Sequence, residues 1–291
     1  MIDLEFSWFK KKIHEIAGID LDSYKPDQMK RLLAKALDKS GARNYVEFIR
    51  QLENSPAKIQ AFRDSVTINV SSLFRDLPRW SELQKHLANL VKESAPEKPG
   101  GLEKRSLRIW SAGCSIGAEP YTLAILMEEL AASGTAPKFT YDILCTDIDS
   151  TMLHRAREGI FTNTEMKEVP PEYIAKYFRV IERPLSDWAS KSIATVFYEA
   201  APILRSKMKF IIHNLLSETW EKNFNMIVCR NVLIYFNNDI KDRLFIKFHD
   251  SLLGNGLLFI GGTEVMFNSA DIGFKSLTTG IYKKIEESEK A

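Results

Sequence analysis

Cysteine is scarce in this chain of 291 residues. Cys114, Cys145 and Cys229 form no Cys-x-x-Cys pair and are odd in number. The sequence therefore offers neither a disulfide framework nor a zinc site, no metal is expected, and the thiols read as buried. Long apolar runs are missing as well: nothing approaches the ~18 residues of a membrane span. Asp3 and Glu5 interrupt the start, where a secretory signal needs an apolar stretch. A cytoplasmic protein with no direct membrane insertion is the expectation. An excess of charge is also absent, with 40 basic against 38 acidic residues, which argues against a protein that coats nucleic acid. Internal repeats and low-complexity tracts are lacking. At roughly 150 residues per domain, the length fits two units with a sizeable core.

What is present divides into two grammars. From Met1 to about Leu77 the chain reads as helices joined by short polar turns. Met29, Leu32, Leu33, Ala36 and Leu37 recur at i, i+3, i+4, i+7 and i+8, which makes one apolar stripe. Lys30, Arg31, Lys35 and Lys39 fall opposite it. That basic face is either a solvated helix surface or a dock for an acidic partner. Ser94 to Lys104, rich in proline, glycine and charge, reads as a surface loop. Beyond it, short β-rich runs alternate with helical segments: 107–112, 141–147, 209–214, 224–231 and 256–262. Such alternation predicts a parallel sheet covered by helices. About sixty residues separate the second and third runs, too many for one crossover helix. An inserted subdomain is expected there, with candidate strands at Tyr177–Val180 and Thr195–Glu199.

In open α/β sheets ligands bind beyond the carboxyl ends of the strands. After the first run stands SAGCSIGAEP, with Gly113 and Gly117 in G-x-x-x-G spacing and Glu119 before Pro120 at a helix start. An acid there repels a dinucleotide pyrophosphate and suits an ammonium or sulfonium ligand such as S-adenosylmethionine. The alternative is a purely structural glycine loop. After the second run, Asp147 and Asp149 divide two roles, ribose ligand and helix N-cap; Asp147 is favoured for the ribose. Arg230 and Asn231 follow the fourth run. Tyr235 ends it, either as core or as a group that orients a substrate. Asn69, Ser71 and Arg75 lie in a segment that pattern alone reads as a linker.

Taken together and in order, NVSSLFRD (69–76), SAGCSIGAEPYTLA (111–124), CTDID (145–149), HNLL (213–216) and CRNVLIYF (229–236) resemble the chemotaxis receptor methyltransferase (CheR) family over nearly the whole chain. The resemblance implies an all-α N-terminal domain with its linker (1–77) and a Rossmann-like S-adenosylmethionine methyltransferase domain (78–291). A small β-subdomain would be inserted at about 162–207. It implies methyl esterification of glutamate side chains on the cytoplasmic methylation helices of chemoreceptors, with S-adenosylhomocysteine as product. The family's cofactor contacts carry over onto Asn69, Ser71, Arg75, Glu119, Asp147, Asn214, Leu215, Arg230 and Asn231. Arg75 and Tyr235 are candidates to orient the acceptor carboxylate; Arg75 could serve the cofactor instead. Departures from the pattern are Ser71 for threonine, Leu73 for phenylalanine, Ala118 for an acid, and GGTEVM (261–266), which keeps Glu264 but lacks a histidine.

Glutamate, with a reference pKa of ~4.3, is already anionic near neutral pH, so such a nucleophile needs no general base. The missing Ser/His/Asp signature is thus no argument against an enzyme. Some family members grip a C-terminal receptor peptide through a glycine-containing loop of the β-subdomain. No glycine occurs here between Gly159 and Gly254, so dependence on that tether is not expected. Two other readings stand beside this one: a silent S-adenosylmethionine-binding sensor, and a methyltransferase acting on nucleic acid or on a protein outside chemotaxis. Intact Asn69, Arg75, Glu119, Asp147 and Asn231 weigh against the sensor. The near-neutral charge, and Arg230-Asn231-Val232-Leu233 where nucleic-acid enzymes carry an Asn/Asp-Pro-Pro-aromatic motif, weigh against nucleic acid.

Overall fold

The computed structural model describes residues 2–66, 71–94, 105–182, 195–216 and 219–285. Helices α1 (Ile2–Ala17), α2 (Pro26–Ser40), α3 (Tyr45–Glu53) and α4 (Pro56–Val66) come first, with a 3-10 turn at Leu21–Ser23. Helix α2 begins on Pro26, whose missing N–H costs nothing in a first turn, and stops at Gly41 with φ 69. Its apolar stripe packs with Phe9, Ile13, Phe48 and Phe62, while Lys30, Arg31, Lys35 and Lys39 face water. The periodicity of the sequence thus places both faces correctly.

Helix α5 (Leu77–Glu93) leads into the alternating region. There follow β1 (Arg105–Ala112), α6 (Ala118–Ser133), β2 (Phe139–Asp147), α7 (Ser150–Glu158), β3 (Ile160–Thr162), α8 (Pro171–Tyr177), β4 (Phe178–Ile181) and β5 (Phe197–Ala200). The chain continues through α9 (Pro202–Arg205), β6 (Met208–Ile212), β7 (Phe224–Cys229), α10 (Asn238–Ser251), β8 (Leu252–Ile260), α11 (Ser269–Ile272), β9 (Phe274–Thr278) and β10 (Ile281–Lys284). One sheet runs in the order β6-β2-β1-β7-β8-β10-β9. Its first five strands are mutually parallel. Strand β7, FNMIVC, is buried at every position, as a strand covered on both faces must be.

The all-parallel expectation needs correction at one edge. Strand β10 runs antiparallel to β8 and to β9. The turn between β9 and β10 carries Gly280 at φ 80, where a Cβ would lie 2.8 Å from the Ile260 carbonyl oxygen. FKSLT and IYKK are short and lysine-bearing, so they lack the apolar density that reveals the parallel strands. A separate antiparallel sheet, β3-β5-β4, lies between β2 and β6 in the sequence. Tyr177 closes α8 rather than opening a strand, and Thr195 precedes β5. The loop expected at Ser94 to Lys104 falls, from residue 95 onward, outside the described residues. Among those residues no helix is long and apolar enough to cross a membrane.

Two consequences place the site. The chain runs outward from β1 through β2 to β6, then returns to β7 on the other side of β1. Reversal of strand order there opens a crevice at the carboxyl ends. The helical segment 18–25 is also pinned to that crevice. Lys25 N–H donates to the Tyr235 carbonyl (3.0 Å), Asn237 N–H to that of Ser23 (3.1 Å) and Asn237 Nδ2 to that of Asp22 (2.9 Å). Asn214 Nδ2 donates to the Gly18 carbonyl (3.2 Å), and the Tyr24 and Phe236 rings meet at 5.2 Å.

Candidate active site

A cavity of about 370 Å³ occupies the crevice, lined by residues that follow β1, β2, β6 and β7. That volume lies within the usual range for a small-molecule site. The loop after β1 turns tightly because Gly113 (φ 81), Ser115 (φ 48) and Gly117 (φ 85) all take left-handed conformations. A Cβ on Gly113 would come within 2.5 Å of Val232 Cγ2, so glycine is what lets the loops after β1 and β7 close on each other.

Glu119 stands in the first turn of α6, where the helix N-terminus favours an anion. Its Oε1 accepts a hydrogen bond from Ser111 Oγ at 2.7 Å. The carboxyl opens onto the cavity but is shielded from bulk water. That desolvation raises its pKa to about 7, against the pull of Arg230 and the Ser111 bond. Asp147 ends β2 with 8% of its surface exposed. Its Oδ2 accepts from Ser115 N–H (2.7 Å) and its Oδ1 from Asp149 N–H (2.9 Å). Burial raises its pKa to about 6 despite those bonds. Asp149 caps α7 by accepting from Met152 N–H at 3.0 Å. The two aspartates therefore divide as expected to this extent: Asp149 is the cap, and Asp147 faces the cavity.

Arg230 is 8% exposed, its guanidinium 4.9 Å from the Trp80 ring centroid and 4.8 Å from that of Phe259. Nη2 donates to the Arg75 carbonyl (3.1 Å) and lies 3.6 Å from Asp76 Oδ2. Nε is buried with no partner among the described residues. Asn231 adopts φ 59, and its N–H donates to Glu264 Oε2 at 3.0 Å. Arg75, Ser71, Leu215 and Tyr235 line the cavity too. Burial raises the pKa of the Tyr235 phenol, opposed by the positive charges of Arg75 and Arg31. Asn214 borders the cavity with its amide turned to Gly18, and its Oδ1 accepts from Leu216 N–H at 2.9 Å. Eight of the nine positions carried over as cofactor contacts thus converge; Asn69 lies outside the described residues. All three thiols are buried.

Two residues at this site escaped the sequence reading. Tyr24 reaches the cavity from the helical region, its phenol raised to about 12 by burial with Asp20 and Asp147 adding to the shift. No local pattern marks it, since its position depends on how segment 18–25 docks. Trp80 lies under Arg230, hidden in an ordinary amphipathic helix. The residues present fit S-adenosylmethionine: two cavity-facing carboxylates with raised pKa call for a cationic and hydroxyl-bearing ligand, and Leu215, Val232 and Tyr24 supply apolar walls.

Comparison with known proteins accords with this geometry. Residues 69–282 match the family model described as CheR methyltransferase, SAM binding domain, and residues 4–67 match CheR methyltransferase, all-alpha domain. The chemotaxis protein methyltransferase of Listeria innocua is 36% identical over 283 residues, covering 97% of this chain and 98% of that protein. The protein of the same description in Borreliella burgdorferi is 30% identical over 96% of this chain and 94% of its own length. The Escherichia coli one is 30% identical over 90% and 84%. With both domain models matched in order and a crevice shaped for the cofactor, the chain belongs to the CheR family of S-adenosylmethionine-dependent methyltransferases.

Proposed function

We propose that this enzyme converts glutamate carboxylates on the cytoplasmic methylation helices of chemoreceptors into methyl esters, as the residues that resemble the family imply. The observation that carries this reading is the polarity of the crevice. Its lining presents the carboxyls of Glu119 and Asp147, and also Tyr235, on which the charges of Arg75 and Arg31 act. A cation is favoured beside the two carboxyls and an anion beside Tyr235 and Arg75.

S-adenosylmethionine supplies an electrophilic sulfonium methyl. Glu119 would hold the methionyl ammonium and Asp147 the ribose hydroxyls, with Asn69, Ser71, Asn214, Leu215, Arg230 and Asn231 completing the cofactor site. Arg75 and Tyr235, which both line the cavity, would orient the incoming carboxylate, unless Arg75 serves the cofactor instead. No residue need remove a proton, because the acceptor arrives ionised. The chain's contribution is alignment in a partly dehydrated crevice. The exposed basic face of α2 would draw in glutamate-rich helices and lessen any need for a peptide tether. We take residues 1–77 and 78–291 as the two functional units, and the cytoplasm as their compartment.

The deciding experiment incubates the enzyme with radiolabelled cofactor and receptor cytoplasmic fragments, one intact and one lacking its C-terminal peptide. Both fragments should take up label that alkali releases as methanol, and alanine at the acceptor glutamates should abolish uptake. Label stable to alkali overturns the ester chemistry; label only on the intact fragment overturns the independence from a tether.

A pH dependence follows from Glu119. An ammonium partner favours the anion and lowers its pKa from about 7 in the empty site, so binding below that pH releases a proton. Affinity for S-adenosylhomocysteine should then be full above pH 8 and fall as pH drops, approaching tenfold per unit well below the raised pKa. Calorimetry from pH 8 to 6 reads this directly. A flat profile removes Glu119 from the ammonium site.

A further inference from the structure

Glu264 sits in the turn after β8, 4% exposed, and its carboxylate is spent on backbone. Oε2 accepts from Gly261 N–H (2.6 Å) and Asn231 N–H (3.0 Å), while Oε1 accepts from Ile234 N–H (3.1 Å). Two of those donors belong to the loop after β7, which carries Arg230, Asn231, Val232 and Tyr235 along the cavity. Asn231 holds φ 59 there, a conformation that persists only where surrounding structure enforces it. Position 261 is shaped for the arrangement: a Cβ on Gly261 would lie 2.6 Å from Glu264 Oε2 and 3.1 Å from the Asn231 nitrogen. Gly261 has no positive φ, so glycine is needed at this position for room.

We propose that Glu264, admitted by Gly261, is the positioning residue of the methyl-transfer site, with each oxygen governing one half of the loop. Oε2 fixes Asn231 on the cofactor side; Oε1 fixes Ile234 and therefore Tyr235 on the acceptor side. The division between sides rests on the roles proposed above for Asn231 and Tyr235. A carboxylate is the group the geometry demands, because every backbone partner, Leu233 beside the three above, is a donor and only an acceptor at both oxygens satisfies them. Glutamine cannot do so. Its amide oxygen settles where two N–H groups converge, and its NH₂ is left facing Ile234 N–H, a buried donor against a donor.

The test is a mirrored pair of variants, read by calorimetry with S-adenosylhomocysteine, steady-state methylation of a receptor fragment, and thermal melts to establish folding. Glu264→Gln should keep affinity for S-adenosylhomocysteine within about threefold while kcat/KM for the acceptor falls about tenfold or more. Gly261→Ala displaces Oε2 without removing charge, and it should weaken S-adenosylhomocysteine by about tenfold or more. Equal losses in both readouts for Glu264→Gln would reduce the residue to general structural support and overturn the proposal. So would wild-type behaviour of either variant. If the wild-type enzyme leaves the receptor fragment unlabelled, the receptor assignment fails on its own; the calorimetric contrast between the two variants still decides the division of the carboxylate.

Discussion

Asp147→Ala is expected to weaken S-adenosylhomocysteine at least about tenfold, because it removes two carboxylate hydrogen bonds worth roughly 1.5 to 3 kcal/mol each. The same change orphans Ser115 N–H and Asp149 N–H, which end on its two oxygens at 2.7 and 2.9 Å. Stability should therefore fall as well, and thermal melts must accompany the calorimetry. Asp147→Asn separates the effects. Its amide oxygen retains one of the two backbone donors, so the melting temperature should drop less than in the alanine variant. Affinity should still fall, since a neutral amide is the weaker acceptor for ribose hydroxyls. A folded Asp147→Ala protein that binds with wild-type affinity removes the ribose assignment.

Arg230→Leu should be the most damaging single change at the site. Leucine fills space between the Trp80 and Phe259 rings but leaves Glu119 without the cation that lowers its pKa, and removes one of two donors at the Arg75 carbonyl, where Trp80 Nε1 remains. Losing hydrogen bonds made by a buried charged group costs about 1.5 to 3 kcal/mol, measurable by denaturant unfolding. The sign of the pH effect is fixed by the charge of Arg230. With Arg230 present, the Glu119 carboxyl stands at about 7; without it, the value rises, so the pH at which S-adenosylhomocysteine affinity is half lost should move upward. A midpoint that stays put, or moves down, means that Arg230 is not the counter-ion of Glu119.

Local signals in the sequence reach most of this site. Four of the strands whose ends bear it are dense apolar runs followed by a change to glycine or polar residues, and Asp147 separates from Asp149 because capping chemistry favours the residue just ahead of a helix. Legibility stops where a contact depends on distant docking. Tyr24 lies far from the other lining residues in sequence, and nothing around it advertises a cavity wall. Strands β9 and β10 go unread because FKSLT and IYKK are short and carry lysines in place of an apolar run. Glu264 was visible as a retained acid in a variant motif, yet its three backbone partners become evident only when β7 and β8 lie side by side. The family resemblance, carried by five motifs, draws Ser71 and Arg75 out of what pattern alone reads as a linker.

The seam between residues 18–25 and the loops after β6 and β7 bears on how such enzymes diversify. A targeting domain joined by a simple leash can be exchanged between relatives without disturbing the chemistry. Here the helical domain contributes Tyr24 to the cavity itself and meets the β7 loop through backbone hydrogen bonds from Lys25 and Asn237. Recombination at the boundary would transplant part of the cavity wall together with the basic helix α2. Changes in the helical domain and in the shape of the cavity are therefore bound to be inherited together, and a graft of that domain must bring a matching residue at position 24.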